Sequence, residues 1–396
     1  MLSTRSIALV ALAGILLAAC APQTAAPQPT PTIAIPVRVT PVAQGPSPAP
    51  TPDPGSLQDD IGATIVVSWY GTVIPPLLVQ ALEDGRVGGV LLFASNFNSQ
   101  AQLRALSDQL TAIAARSCLD HPILVMLDQE GGQVNRVQAS FAPPSQLVVG
   151  HGGAAHVTAV ERASGAGLRS LGVGLNLAPV ADVRTNSRDQ VILDRSFGSN
   201  PSTVGPLVAA AVTGLHDGGV GATLKHFPGL GGAAGDPHVA IPTDPESLAR
   251  WEAVQMPSFQ AGIAAGADAV MTTAVYVPGL GGGSTPAMFS APVVSRLRTQ
   301  LNFTGVIVSD SVSMGGIGAI WSLPAATVLA LQAGNDLVLL GNSDPSYELS
   351  AVSAVSSAVT SGRLSRAAIH ASALRVNALR DRWGRRFTHC RAEPVA

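Results

Sequence analysis

Eight short apolar, β-branched runs recur along the chain, with segments of helical spacing between most of them. The runs are Ala63–Ser68, Gly89–Phe93, Ile123–Leu127, Val173–Ala178, Gly221–Leu224, Ala269–Thr273, Val306–Ser309 and Asp336–Leu340. Helical spacing marks Ile74–Glu83, Gln100–Arg116, Ala155–Leu171, Ser202–Gly214, Pro245–Ala265, Ala291–Gln300 and Leu323–Ala333, and a helix over Tyr347–Arg382 closes the series. A strand that is apolar on both faces must be covered on both, as in a parallel sheet under helices. Eight such units in one stretch favour a closed ring over an open doubly wound sheet. The expected fold is α/β, a (β/α)8 TIM-like barrel in a single domain over residues 56–385.

The remainder of the chain reads differently. Residues 1–20 have the form of a leader: Arg5 gives a thin positive start, and Ile7–Ala19 is an apolar stretch too short to span a bilayer. It ends in Leu17-Ala18-Ala19-Cys20, which resembles a bacterial lipobox, so Cys20 is the expected lipidation site. An ordinary leader with an incidental cysteine is the plainer alternative. Residues 21–55 are rich in Pro, Thr, Ala and Gln and nearly uncharged, as expected of a solvated tether, and residues 386–396 form a tail. The expected location is the outer side of the cell membrane, held by the lipid. Export would permit a disulfide between Cys118 and Cys390, and two free thiols are equally compatible with the sequence.

Charged residues make up 12% of the chain and apolar ones 46%, with a net charge of −2. That balance suits a well-buried domain and gives no electrostatic reason to expect a nucleic-acid partner. A monomer is expected.

In such a barrel the reactive groups belong just after the strands, at the carboxyl-terminal face. Polar residues do collect there. Asn96 follows the second run, Asp128-Gln129-Glu130 the third, and Asp182 and Asp194-Arg195 the fourth. Lys225-His226 follow the fifth and Asp310 the seventh. No His-Glu-x-x-His or Gly-x-Ser-x-Gly motif is present, so neither a metal site nor a nucleophilic serine is expected. Gly229-Leu-Gly231-Gly232-Ala-Ala234 loosely fits a dinucleotide fingerprint, but Asp236-Pro237 interrupts the helix that motif needs, and no cofactor is expected.

Carboxylates and one histidine remain. Asp310 ends an apolar strand, where it can be a nucleophile or merely cap the next helix. Asp236 and His238 stand one residue apart in a Gly-rich loop. A carboxylate beside an imidazole can orient it for proton transfer, although the same spacing also occurs in a plain turn. Asp128, Arg136, Arg195, Lys225 and His226 would suit a ligand rich in hydroxyls, or could be separate salt bridges.

These residues together resemble the β-N-acetylglucosaminidases of glycoside hydrolase family 3. The resemblance runs from about residue 60 to 340 through five ordered motifs: Asp128-Gln-Glu-Gly-Gly-Gln-Val-Asn-Arg136, Asn176-Leu-Ala-Pro-Val-Ala-Asp182, Asp194-Arg-Ser-Phe197, Lys225-His-Phe-Pro-Gly229 with Asp236-x-His238, and Ser309-Asp310-x-x-x-Met314. It implies a retaining mechanism, with Asp310 as nucleophile and His238, oriented by Asp236, as acid and base. Asp128, Arg136, Arg195, Lys225 and His226 would hold the N-acetylglucosamine. The expected substrate is terminal β-linked N-acetylglucosamine, from peptidoglycan fragments given the location. A neutral imidazole would also tolerate an anionic acceptor, which leaves phosphorolysis open. Three positions depart from the family's pattern: Leu230 and Ala274, where it often has His, and Ser311, where it often has Asp. The alternatives are a non-hydrolytic muropeptide-binding lipoprotein that keeps the pocket, and a family 3 glycosidase or phosphorylase of other specificity.

Overall fold

A computed structural model describes residues 56–117, 120–341 and 344–385. The leader, the tether, the tail and all three cysteines, Cys20, Cys118 and Cys390, lie outside the described residues. Eight parallel strands form the expected ring: β1 (Ile65–Val67), β2 (Gly89–Leu91), β3 (Leu124–Leu127), β4 (Leu175–Asn176), β5 (Gly221–Phe227), β6 (Ala269–Thr272), β7 (Val306–Ser309) and β8 (Val338–Leu339). Each pairs with its sequence neighbour, and β8 returns to β1 through Ile65↔Val338. The seam between β7 and β8 closes at Val308↔Leu337, where the Ser309 N–H donates to the Leu337 carbonyl at 2.8 Å.

The strands lie between two apolar layers. Val66, Leu91, Met126, Leu175, Met271, Val308 and Leu339 fill the barrel interior, all nearly inaccessible to water. Ile65, Val90, Val125, Ala222, Val270 and Ile307 face the surrounding helices. Each such Val, Leu, Ile or Met side chain stabilises the fold by roughly 1.5–3 kcal/mol when fully buried, which explains why runs apolar on both faces close a barrel. The floor is sealed by Trp383 at the end of the last helix, which packs so near Gly221 that a Cβ there would lie 2.8 Å from its ring.

The element bounds differ from the sequence expectation in instructive ways. The stretch Pro245–Ala265 is two helices, Leu248–Val254 and Met256–Ala264. At the junction Gln255 turns its amide inward to bond both the N–H and the carbonyl of Val183, at 2.9 and 3.0 Å. The closing stretch also splits, into Pro345–Thr360 and Arg366–Trp383, around Gly362 at φ 78°. An additional helix, Leu57–Ala63, precedes β1, and Asp60 ties it to Arg366 and to His370 of the last helix. Strand β5 runs three residues past its expected end, with consequences for the site below. Among the described residues no helix is long and apolar enough to cross a membrane.

The helices Gly153–Ser170 and Pro201–Asp217 pack tightly, because a Cβ on Gly214 would lie 2.7 Å from that of Glu161. Glu161 is only 3% exposed, and its Oε2 has no hydrogen-bond partner. Burial pushes its carboxyl up to about 8, from an ordinary value of 4.5. Between those values the unfolded chain releases a proton that the folded chain retains, so stability falls as pH rises through that window. Glu161→Gln removes this loss. Its thermal midpoint relative to the parent is expected to be higher at pH 8 than at pH 5, and an equal difference at both values would contradict the assignment.

Candidate active site

The carboxyl-terminal ends of the strands surround a cavity of about 400 Å³. Its walls include Asp128, Arg136, Arg195, Lys225, His226, His238 and Asp310, so seven of the eight residues expected at the site from sequence line one space. The eighth, Asp236, bonds to His238.

The floor is an ion network. Lys225 was expected at the exposed end of its strand. Instead β5 continues through Phe227, and Lys225 is 2% exposed within it. Its Nζ lies 2.7 Å from Asp128 Oδ1 and 2.6 Å from Glu130 Oε1. Glu130 accepts two further bonds from Arg195, from Nε at 2.7 Å and from a terminal nitrogen at 2.9 Å. Burial pushes the carboxyls of Asp128 and Glu130 up, but the cations around them outweigh it. Lys225 and Arg136 hold Asp128 below the usual range, and Lys225 and Arg195 hold Glu130 far below it. Burial works against the charge on Lys225 too, yet the two carboxylates raise its pKa above normal. Arg136 reaches Asp128 at 3.4 Å and lies over the ring of Phe93.

His226 continues the network. Its Nδ1 lies 2.7 Å from Asp182 Oδ2, and its Nε2 3.2 Å from an Arg195 nitrogen. A guanidinium can only donate, so Nε2 must accept and Nδ1 carries the proton: the ring is neutral in this arrangement. Asp182, fully buried, also accepts from the backbone N–H groups of His226 and Leu230, at 3.1 and 2.6 Å.

Glu130 and Asp182 were not among the expected site residues. Asp128 and Glu130 alternate in an extended segment, which turns both to one side, so Glu130 was legible from spacing. The hairpin that holds it, Gln129–Gly131 paired with Val134–Asn135, gave no comparable signal. Asp194 does not join the cluster and bonds to Gln133 at 2.7 Å.

Asp310 stands on the opposite wall, directly after β7. Its Oδ2 accepts from the Thr273 hydroxyl and its Oδ1 from the Ser311 N–H, both at 2.8 Å. One bond to each oxygen fixes the carboxylate plane and leaves lone pairs toward the cavity. The turn that carries His238 crosses the segment following Asp310. Gly316 N–H donates to the Pro237 carbonyl at 3.1 Å, and a Cβ on Gly315 would lie 2.2 Å from the His238 carbonyl. The glycine pair therefore lets the loop lie flat against this wall. His238 Nδ1 bonds to Asp236 Oδ1 at 2.7 Å, and among the described residues its Nε2 has no partner. Burial pushes the Asp236 carboxyl up, but the bonds from His238 outweigh it and hold it below the usual range. The His238 side chain is 66% exposed.

The three departures from the family pattern fall in different places. Leu230 and Ser311 line the cavity, whereas Ala274 is wholly buried and does not. Ser311 shares a 2.9 Å hydroxyl bond with Ser313. Among the described residues no three His, Cys, Asp or Glu side chains are grouped to hold a metal ion.

Comparison with known proteins identifies the family of the barrel. Residues 75–379 match the profile of the glycosyl hydrolase family 3 N terminal domain. A beta-hexosaminidase of Xylella fastidiosa is 37% identical over 285 residues, which cover 70% of this chain and 82% of that protein. The structure of a family 3 beta-N-acetylglucosaminidase from Paenibacillus superposes with a TM-score of 0.80 at 33% identity, over 86% of this chain and 66% of that one. A beta-N-acetylhexosaminidase from Beutenbergia cavernae gives a TM-score of 0.75 at 33% identity, over 82% of this chain and 98% of that one. With the profile spanning most of the barrel, the chain belongs to glycoside hydrolase family 3.

Proposed function

We propose that this protein is a retaining exo-β-N-acetylhexosaminidase that removes terminal N-acetylglucosamine. The observation that carries the reading is that Asp310 and His238 line the same cavity as the Asp128–Lys225 cluster. The name of the Paenibacillus neighbour, a beta-N-acetylglucosaminidase, supports the sugar, and those of the Xylella and Beutenbergia relatives support the hexosamine class.

The terminal sugar lies over the ion network. Asp128 and Lys225 meet its hydroxyls, with Arg136, Arg195 and His226 around it. In the first step an oxygen of Asp310 attacks the anomeric carbon. The glycosidic C–O bond breaks, its electron pair goes to the leaving oxygen, and that oxygen takes a proton from His238 Nε2. In the second step the neutral imidazole removes a proton from water as that water attacks the same carbon, and the ester bond to Asp310 breaks. Asp236 steadies the imidazolium in its charged phase. A neutral base beside Asp310 avoids the repulsion that two carboxylates would suffer there.

The cellular setting belongs to the same proposal. The leader ending in Ala19-Cys20 supports a lipid-anchored protein outside the cell membrane, where peptidoglycan fragments would supply β-linked N-acetylglucosamine. Two acyl chains on Cys20 would give stable anchoring, as one gives only marginal binding.

Three variants and a labelling experiment test the assignment. Asp310→Asn is expected to lose essentially all turnover of an aryl β-N-acetylglucosaminide, and a 2-fluoro sugar is expected to label Asp310 in the parent, as read by mass spectrometry. A label elsewhere would refute the nucleophile, and tight sugar binding with no turnover by the parent would point to a binding protein. His238→Ala is expected to slow substrates with poor leaving groups about 10²–10⁴-fold, with partial recovery on activated ones. Equal slowing on both would argue against the acid role. Lys225→Met leaves Asp128 and Glu130 facing each other without their cation, and is expected to cost about 3–5 kcal/mol in denaturant unfolding as well as sugar affinity.

A further inference from the structure

Tyr70 lines the active-site cavity and is nevertheless 72% exposed. It lies in the turn after β1. Its neighbour Trp69 is 1% exposed and anchors that turn in the core. Neither the ring nor the hydroxyl of Tyr70 has a partner among the described residues, so folding gains little from this side chain.

The backbone beneath it, by contrast, is held firmly. Asn96, itself fully buried, donates from Nδ2 to the carbonyls of Trp69 and Gly71, at 2.8 and 2.9 Å. Its Oδ1 accepts from the Phe93 N–H at 2.8 Å. One side chain therefore grips the chain on both sides of Tyr70 and ties it to the end of β2. Gly71, at φ 90°, completes the turn. The apolar character continues along the segment, with Val73 77% and Leu77 48% exposed. An unpartnered aromatic ring on a rigid mount at a cavity mouth is free to meet a ligand.

The chemistry of the cavity indicates what covers it. The terminal sugar is held by charged groups at the base, so only the leaving group projects past the rim. The C–H face of a pyranose is apolar, and a fixed aromatic face buries it with little entropy loss. We propose that Tyr70, mounted by Asn96, is the stacking platform for the sugar ring on the leaving-group side of the scissile bond. This rests on the glycosidase reading above and adds to it a residue that selects glycan chains over small aglycones.

The test compares a leaving group that has a ring with one that has none. β-N-acetylglucosaminyl fluoride fills only the terminal-sugar position, whereas N,N′-diacetylchitobiose also places a ring at the rim. Tyr70→Ala is expected to lower the ratio of kcat/KM for diacetylchitobiose over the fluoride about tenfold, mainly through KM, the size of a lost aromatic stack. Tyr70→Phe is expected to keep the parent ratio within about twofold, and Tyr70→Trp to match or exceed it. A ratio unchanged in Tyr70→Ala, or a loss as large in Tyr70→Phe, would overturn the platform while leaving the glycosidase reading intact. A parent enzyme that cleaves neither substrate would overturn both.

Discussion

The ammonium of Lys225, shut between Asp128 and Glu130, is the interaction around which the site is organised. A buried cation is tolerated only when its charge is answered at close range, and here the balance extends outward. Lys225, Arg136 and Arg195 stand against Asp128, Glu130 and Asp182, three cations with three carboxylates, and the neutral ring of His226 bridges Arg195 to Asp182. No member can leave without exposing another to an unanswered charge. Such a network holds its donors and acceptors in fixed directions, which a hydroxyl-rich ligand requires of its receptor.

The opposite wall is built on another principle. Asp310 is held by two neutral donors, the Thr273 hydroxyl and the Ser311 amide, without a cation. His238 rests on backbone, where the Pro237 carbonyl meets Gly316 and the chain passes over Gly315. The groups proposed to bind are thus locked by charge, and the groups proposed to react are positioned by main-chain contact at the wet edge. The barrel supplies both, because β3 and β5 lead into the charged network and β7 leads into Asp310.

Much of this was legible in the chain, for identifiable reasons. Runs apolar on both faces left few solutions other than a helix-covered parallel sheet, and the polar residues after them marked the mouth. The reach of β5 was not legible. Lys225 and His226 look like a strand's polar ending, and only the carboxylates delivered by distant segments make it possible to bury them. Glu130 was visible as the partner of Asp128 by alternation, whereas Asp182 acts through backbone amides that any sequence would possess. The breaks at Gln255 and Gly362 escaped notice because helical spacing continues across them. In the first case the cause is a tertiary bond to Val183 that no local pattern records.

The contrast between the two walls has a consequence for how the protein responds to its medium. Mobile ions screen charges that water can reach and scarcely affect pairs sealed from it. The pair Asp236–His238 is open to solvent, while Lys225 and Glu130 are nearly sealed from it. Changes in ionic strength would therefore reach the Asp236–His238 edge and leave the Lys225–Glu130 pair almost untouched.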